Sequence, residues 1–361
     1  MTTKKRPLSF PHECLPAASV KKIIDILRKG DLKALQPGGK IPKFVREAFG
    51  PDVVHCPHII PAHVAFDPTP SNKGIATHLI AGLLKPHVGV IVQHNGRIGR
   101  EDTSEEKAKL LLDAADENDE SSDVEGWGIW NLHHDSSYVS SYIASGAKLW
   151  VIYPPTAENL EVLCETYRTE YPHDTLGIFE VYQRLKNGIA VLQPPGTHLW
   201  QPPLCPHSVF TLSSSVLVGG EIYRATDFAF RLQNIEIEAA WAVRSRTNCD
   251  QLVLELRNHL YQALCTRNNE FAMEERSFQR EILDSWDQVI GEPHLETLIR
   301  TAKTIKMKHF KDVWVNKLLE WGVCPCGEMI KNAGRPTTSA RLRASRDRKA
   351  AVEHFNEQHM G

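Results

Sequence analysis

Short apolar runs broken by proline and glycine constrain this chain more than any other feature it has. The run Ser141-Tyr-Ile-Ala-Ser-Gly-Ala-Lys148-Leu-Trp-Val-Ile-Tyr-Pro-Pro155 reads as a strand, a tight turn at Gly146 and a second strand stopped by two prolines. A further run, Gly188-Ile-Ala-Val-Leu-Gln-Pro-Pro-Gly196, reaches His207 and continues as Ser215-Val-Leu-Val-Gly-Gly-Glu-Ile-Tyr223. No long helical period intervenes, so the pattern predicts a small antiparallel barrel or sandwich with a ligand pocket in its mouth. With 361 residues and 42% hydrophobic content the chain can build a real core and carry appendages or further domains.

Chemistry is concentrated beside these runs. His133 and Asp135 lie in Trp130-Asn-Leu-His-His-Asp135, and His207 closes Pro202-Pro-Leu-Cys-Pro-His207. Two imidazoles and one carboxylate can occupy one face of an octahedral metal and leave three positions open, which suits Fe(II) that must also hold a chelating co-substrate and oxygen. Among 17 histidines an H-x-D arises readily by chance, so its surroundings carry the weight. Side chains alternate along a strand, so His134 points away from His133 and Asp135 and is read as a packing or supporting residue.

The region from about Val88 to Asp227 resembles a JmjC domain, the double-stranded β-helix (cupin-like jelly roll) of Fe(II)- and 2-oxoglutarate-dependent oxygenases. Four features carry the resemblance: L-H-x-D at Leu132 to Asp135, G-x-K-x-W ending in Y-P-P at Gly146 to Pro155, Pro-Pro-Gly196 before His207, and Gly219-Gly220 twelve residues after His207. The resemblance implies that His133, Asp135 and His207 hold iron and that Lys148 pairs with the distal carboxylate of 2-oxoglutarate. A strand lysine aimed into a barrel makes physical sense as an anion anchor, because burying its charge unpaired is costly. Tyr142 is a candidate to support the co-substrate carboxylate, as is Tyr138, against a plain packing role for either. Two positions depart from the family: Trp130 stands where many members have threonine, and Glu221 where members with similar spacing have asparagine.

A hydrophobic run long enough to span a membrane is missing, and Met1-Thr-Thr-Lys-Lys-Arg-Pro lacks the apolar core of a signal peptide, so the interior of a cell is expected. Eight scattered cysteines fit a reduced compartment, nuclear or alternatively cytoplasmic. A net charge of −2 gives no global attraction to nucleic acid.

The rest of the chain divides into an N-terminal helical and loop region (1–87), the JmjC-like domain (88–230) with an acidic insertion (101–125), a helical domain (231–320) and a tail (321–361). Residues 17–29 show amphipathic helical spacing. The acidic insertion reads as solvated, with an acidic lip for a basic histone tail as its functional alternative. His55-Cys-Pro-His58 with His63 reads as a coincidental loop cluster. Apolar positions at three- and four-residue steps predict helices at Glu236–Trp241, Asp250–Leu264, Glu274–Ile290 and Leu295–Leu319. In the tail, Cys324-Pro-Cys326 precedes a helix carrying His354 and His359, which resembles a C2H2 zinc finger with a C-x-C pair and a longer than usual interval. The basic stretch 331–349 is open to three readings: non-specific phosphate contact, a nuclear import signal or a solvated loop.

The leading expectation is an oxygenase acting on a protein or histone tail, most directly a lysine demethylase. A JmjC protein hydroxylase and a catalytically degenerate, chromatin-binding JmjC protein that uses its zinc finger are the alternatives.

Overall fold

The computed structural model describes residues 14–16, 43–49, 57–61, 93–94, 97–98, 132–169, 181–211, 215–245, 249–265, 272–330 and 340–360. The helix expected at 17–29, the acidic insertion, Trp130 and residues 331–339 of the basic stretch lie outside them. So do His55, Cys56 and His63. The chain divides into two compact units, the first running up to Leu163 and from Pro172 to Ile222, the second taking the segment between these and everything from Tyr223 onward.

The first unit is antiparallel β-structure. Its strands are β1 (Cys14–Pro16), β2 (His58–Pro61), β3 (Gln93–His94), β4 (Arg97–Ile98), β5 (Tyr138–Ser145), β6 (Lys148–Ile152), β7 (Ile189–Gln193), β8 (Thr197–Gln201), β9 (His207–Thr211) and β10 (Val216–Ile222). They form two four-stranded sheets, β1-β7-β6-β9 and β10-β5-β8-β2, plus the small β3-β4 pair. Gly146 and Gly196 both have φ +71°, so the turns that join β5 to β6 and β7 to β8 use backbone that L side chains avoid. The sheets share one apolar cluster: Trp150, Ile152, Ile189, Val191 and Val209 come from the first sheet, Ile59 and Leu199 from the second. This fixes which strand faces point inward, since side chains alternate with a period of two.

The N-terminal region, expected to be helix and loop, supplies strands as well as the helix α1 (Lys43–Phe49). Cys14 to Pro16 pair with β7, and His58 to Pro61 pair with β8. Three- and four-residue edge strands containing proline have too few positions to display an alternating pattern, which is why the sequence hides them.

A helix α2 (Ala157–Arg168) follows β6, so a helical segment does intervene between the apolar runs, contrary to the sequence expectation. The second unit then runs through α3 (Phe228–Gln233), α4 (Ile235–Ser245), α5 (Cys249–Cys265), α6 (Ala272–Val289), α7 (Pro293–Thr301), α8 (Met307–Trp321) and α9 (Ala340–His359). The single helix expected from Leu295 to Leu319 is two. The chain leaves helical geometry at Ala302, and Asp250 Oδ1 accepts from the Thr304 amide and hydroxyl at 2.5 and 2.6 Å. The apolar spacing runs through this break because Ala302, Leu298 and Phe310 all face the same core.

That core centres on Trp286, Phe310, Trp314 and Phe355, whose rings lie 5.7–6.4 Å apart in stacked, tilted and edge-on pairs. Arg231 and Glu238 are buried together, with guanidinium Nε and NH2 donating to the two carboxylate oxygens at 2.6 and 2.9 Å. The tail does not stand apart from the helices: Cys324, Ile330, Ala351 and Phe355 belong to the same buried cluster. In the described part of the basic stretch, Arg348 reaches Asp312 at 3.2 Å and Lys349 reaches Glu353 at 3.5 Å. No described helix is long and apolar enough to cross a membrane.

Candidate metal centre

His133, Asp135 and His207 come together because of one backbone feature. The His133 amide donates to the His207 carbonyl at 3.0 Å and the His207 amide donates back at 2.8 Å, a mutually bonded antiparallel pair whose side chains stand next to each other. The ring centroids are 4.2 Å apart. Asp135, two residues on and therefore on the same face, brings Oδ2 to 3.5 Å from His207 Nε2. Its own carbonyl is held by the Leu204 amide at 2.8 Å, which ties the Asp135 segment to the loop before β9. The ligand-type atoms of the three residues lie within 4.8 Å of one another.

His207 is fully buried, and burial first, then the neighbouring His133 ring, hold its pKa well below the ordinary histidine value. A neutral imidazole is the form that binds a metal. Its Nδ1 lies 3.0 Å from the Cys205 carbonyl, and with the Nδ1 proton donated there the Nε2 lone pair is directed at Asp135. The Gln201 amide is 2.8 Å from the same Nδ1, and turning that amide would let Oε1, which has no partner among the described residues, accept from it too. The donor set, the neutral His207 imidazole and the graded exposure fit a divalent metal with open positions.

Lys148 sits on the same face of the same strand pair. Ile152 is opposite His207, Trp150 opposite Val209 and Lys148 opposite Thr211, so the lysine is four residues along from the histidine, about 13 Å at ~3.3 Å per residue. Its Nζ donates to Thr211 Oγ1 at 2.8 Å. Burial lowers its pKa to about 8, and among the described residues no carboxylate pairs with it. A buried cation answered among the described residues by a neutral hydroxyl favours an incoming anion. Beside it, Trp150 Nε1 donates to Gln193 Oε1 at 2.8 Å, and Gln193 Nε2 donates to the Ser141 and Thr197 carbonyls, bracing the wall.

Tyr142 is not brought to this face. It is opposite His198 on β8, with ring centroids 5.5 Å apart, while Ser141 and Leu199 take the inward side. Tyr138 shares the parity of Tyr142. His134 is buried. Glu221 is opposite Val139 and shares the parity of Leu217, at the solvent-exposed end of β10. Sequence reasoning missed Thr211, Gln193 and Gln201. Only Thr211 left a trace, four residues after His207 and hence on its face.

A second group of four residues lies in the helical unit: Cys324, Cys326, His354 and His359, with ligand-type atoms again within 4.8 Å of one another.

A β-rich unit that presents two imidazoles and a carboxylate beside a buried lysine is the arrangement expected of a JmjC domain, and comparison with known proteins supports a JmjC family. The chain is 28% identical over 118 residues to JmjC domain-containing histone demethylation protein 1 of Candida glabrata, a match covering 32% of this chain and 28% of that protein. It is 30% identical over 110 residues to the protein of the same name from Kluyveromyces lactis, covering 30% of this chain and 22% of that one. The chain thus spans about a quarter of the length of these curated relatives. No protein-family model matches it.

Proposed function

We propose that this chain is a JmjC-type oxygenase with a double-stranded β-helix, dependent on Fe(II) and 2-oxoglutarate and acting on a protein substrate. The observation that carries the reading is the shared strand face of β6 and β9, with a three-donor centre at one end and, at the other, a buried lysine that pairs with no carboxylate among the described residues. His133, Asp135 and His207 hold the iron, and Lys148 with Thr211 takes the distal carboxylate of the co-substrate. Bound iron would supply oxygen activation coupled to conversion of 2-oxoglutarate into succinate and carbon dioxide. The protein residues orient the dicarboxylate along the strands and keep His207 in its metal-binding tautomer.

The substrate reading is a methylated lysine on a histone or another protein, in the nucleus, since both relatives are named for histone demethylation. Oxidation of an N-methyl carbon gives a hemiaminal that releases formaldehyde, whereas oxidation of a side-chain carbon leaves a stable hydroxyl. Contact of the basic stretch with nucleic acid belongs to the same nuclear reading.

The test is anaerobic binding of Fe(II) and 2-oxoglutarate to the full chain, then oxygen, with succinate measured against an array of methylated histone peptides. Succinate with formaldehyde supports demethylation, and succinate with an oxidised peptide supports a hydroxylase. Tight binding of both cofactors without peptide-stimulated succinate would leave a binding protein in place of an enzyme.

A further inference from the structure

The helical unit holds a group of side chains that the oxygenase reading does not use. We propose that Cys324, Cys326, His354 and His359 form a closed tetrahedral zinc site, oriented by Asp287 and Glu328, that staples the C-terminal helix α9 into the core of the helical unit.

Distances argue first. Cys324 Sγ is 3.5 Å from His359 Nε2 and Cys326 Sγ is 3.5 Å from His354 Nε2. A tetrahedron with Zn–S arms of ~2.3 Å and Zn–N arms of ~2.05 Å has a sulfur-to-nitrogen edge of about 3.6 Å. Both thiol–imidazole pairs already have that spacing.

Orientation argues next. An imidazole that binds zinc through Nε2 donates its Nδ1 proton elsewhere, and a carboxylate is the strongest acceptor for it. His359 Nδ1 lies 2.9 and 3.0 Å from the two Asp287 oxygens, and His354 Nδ1 lies 2.9 Å from Glu328. Both rings therefore turn Nε2, the zinc-binding nitrogen of such a pair, toward the thiols. Two separate histidines turned the same way toward a pair of cysteines are not explained by isolated thiol–imidazole hydrogen bonds. The cysteine turn is shaped for it: the Gly327 amide donates to the Cys324 carbonyl at 2.8 Å, and Gly327 has φ +103°, a conformation that disfavours any side chain there.

Placement gives the role. Asp287 lies on α6, the cysteines follow α8, and the histidines lie on α9. Trp286 Nε1 donates to the His359 carbonyl at 3.0 Å, and Phe355 packs between Trp286 and Trp314. Four protein ligands leave no open position, so the site is structural. It is also not the independent finger that the tail sequence resembles, because one orienting carboxylate and the aromatic partners come from outside the tail. The site shares no residue with the iron centre, so it stands whether or not the oxygenase reading holds.

The full-length chain carrying Asp135→Ala, which empties the iron centre, should retain one equivalent of zinc. Cobalt exchanged for zinc should give tetrahedral bands with a thiolate charge-transfer absorption. Chelation should lower the thermal midpoint by 5 °C or more. Asp287→Ala should weaken zinc affinity 10- to 100-fold, and Asp287→Asn, which still accepts the Nδ1 proton, should recover most of it. Cys326→Ser should lose the metal; should it fail to fold, His354→Cys keeps a ligand and should retain zinc with a stronger charge-transfer band. Less than half an equivalent of zinc, an octahedral cobalt spectrum, or a chelator-insensitive midpoint overturns the site. An unchanged affinity in Asp287→Ala overturns the orienting role.

Discussion

The two His-containing clusters of this chain are built from similar parts in different geometries. At the β-sheet centre, three donors sit on a half-open strand face, and the supporting contacts to His207 come from a carbonyl and an amide. In the helical unit, four donors face one another, and both imidazoles lean on carboxylates. Three ligands leave room for a reacting molecule, whereas four complete a shell and leave only cohesion. Removing a ligand should therefore cost activity in the first case and stability in the second.

The sharpest way to break this contrast is Asp135→Ala. We expect peptide-stimulated succinate formation to fall at least ~10³-fold, more than about 4 kcal/mol in transition-state terms. The thermal midpoint should stay within about 3 °C of the parent, because the side chain is partly solvated and outside the apolar cluster. A midpoint drop as large as that seen on zinc chelation would erase the distinction.

Lys148 sharpens the same contrast, because its effects should have opposite signs. Lys148→Ala should weaken 2-oxoglutarate by roughly 3–5 kcal/mol while iron binding persists, since the co-substrate carboxylate loses its buried cationic partner. Titration calorimetry reads this directly. Yet the free protein should gain stability from Lys148→Met. The folded pKa of about 8 lies below the unfolded ~10.4, so the unfolded chain binds more protons and stability rises with pH across that window. At neutral pH the buried charge costs about 3 kcal/mol as an upper bound, and methionine removes it. Chemical denaturation at pH 7 that finds Lys148→Met less stable would show the lysine to be well satisfied without an anion.

The smallest effect is expected in the helical unit. His259 Nε2 donates to the Arg224 carbonyl at 2.7 Å, and burial lowers its pKa to about 4. This contribution is complete above the unfolded pKa of ~6.5 and is lost as pH falls toward 4, at most about 3 kcal/mol. His259→Gln keeps the donor but cannot titrate, so urea midpoints measured from pH 7 to 4 should fall less steeply than in the parent. Parallel curves would place the acid sensitivity of the unit elsewhere.

Much of the site was readable because strands announce themselves two residues at a time. The i, i+2 pair of His133 and Asp135 implied a shared face, and Lys148 stood out as a charge inside an apolar run. What could not be read was pairing across the chain. Nothing local says that His207 faces His133, that Thr211 faces Lys148, or that Asp287 serves a histidine on a later helix. Tyr142 shows the reverse situation, since an aromatic near His133 and Asp135 in sequence is opposite His198, away from the side taken by Ser141 and Leu199. Helix spacing located α4, α5 and α6 well but ran through the break at Ala302, because apolar periodicity records which side faces the core and not whether the backbone is continuous.

The mutual amide bonds between His133 and His207 also set an order of assembly. Until His207 has left the ribosome and β9 has paired with β6, His133 and Asp135 have no third donor beside them. The β-rich unit is complete in sequence at Ile222, whereas the Cys324 cluster waits for His359, 137 residues later. During synthesis the open centre can thus be finished while the helical segments are still emerging, and the closed one is sealed last.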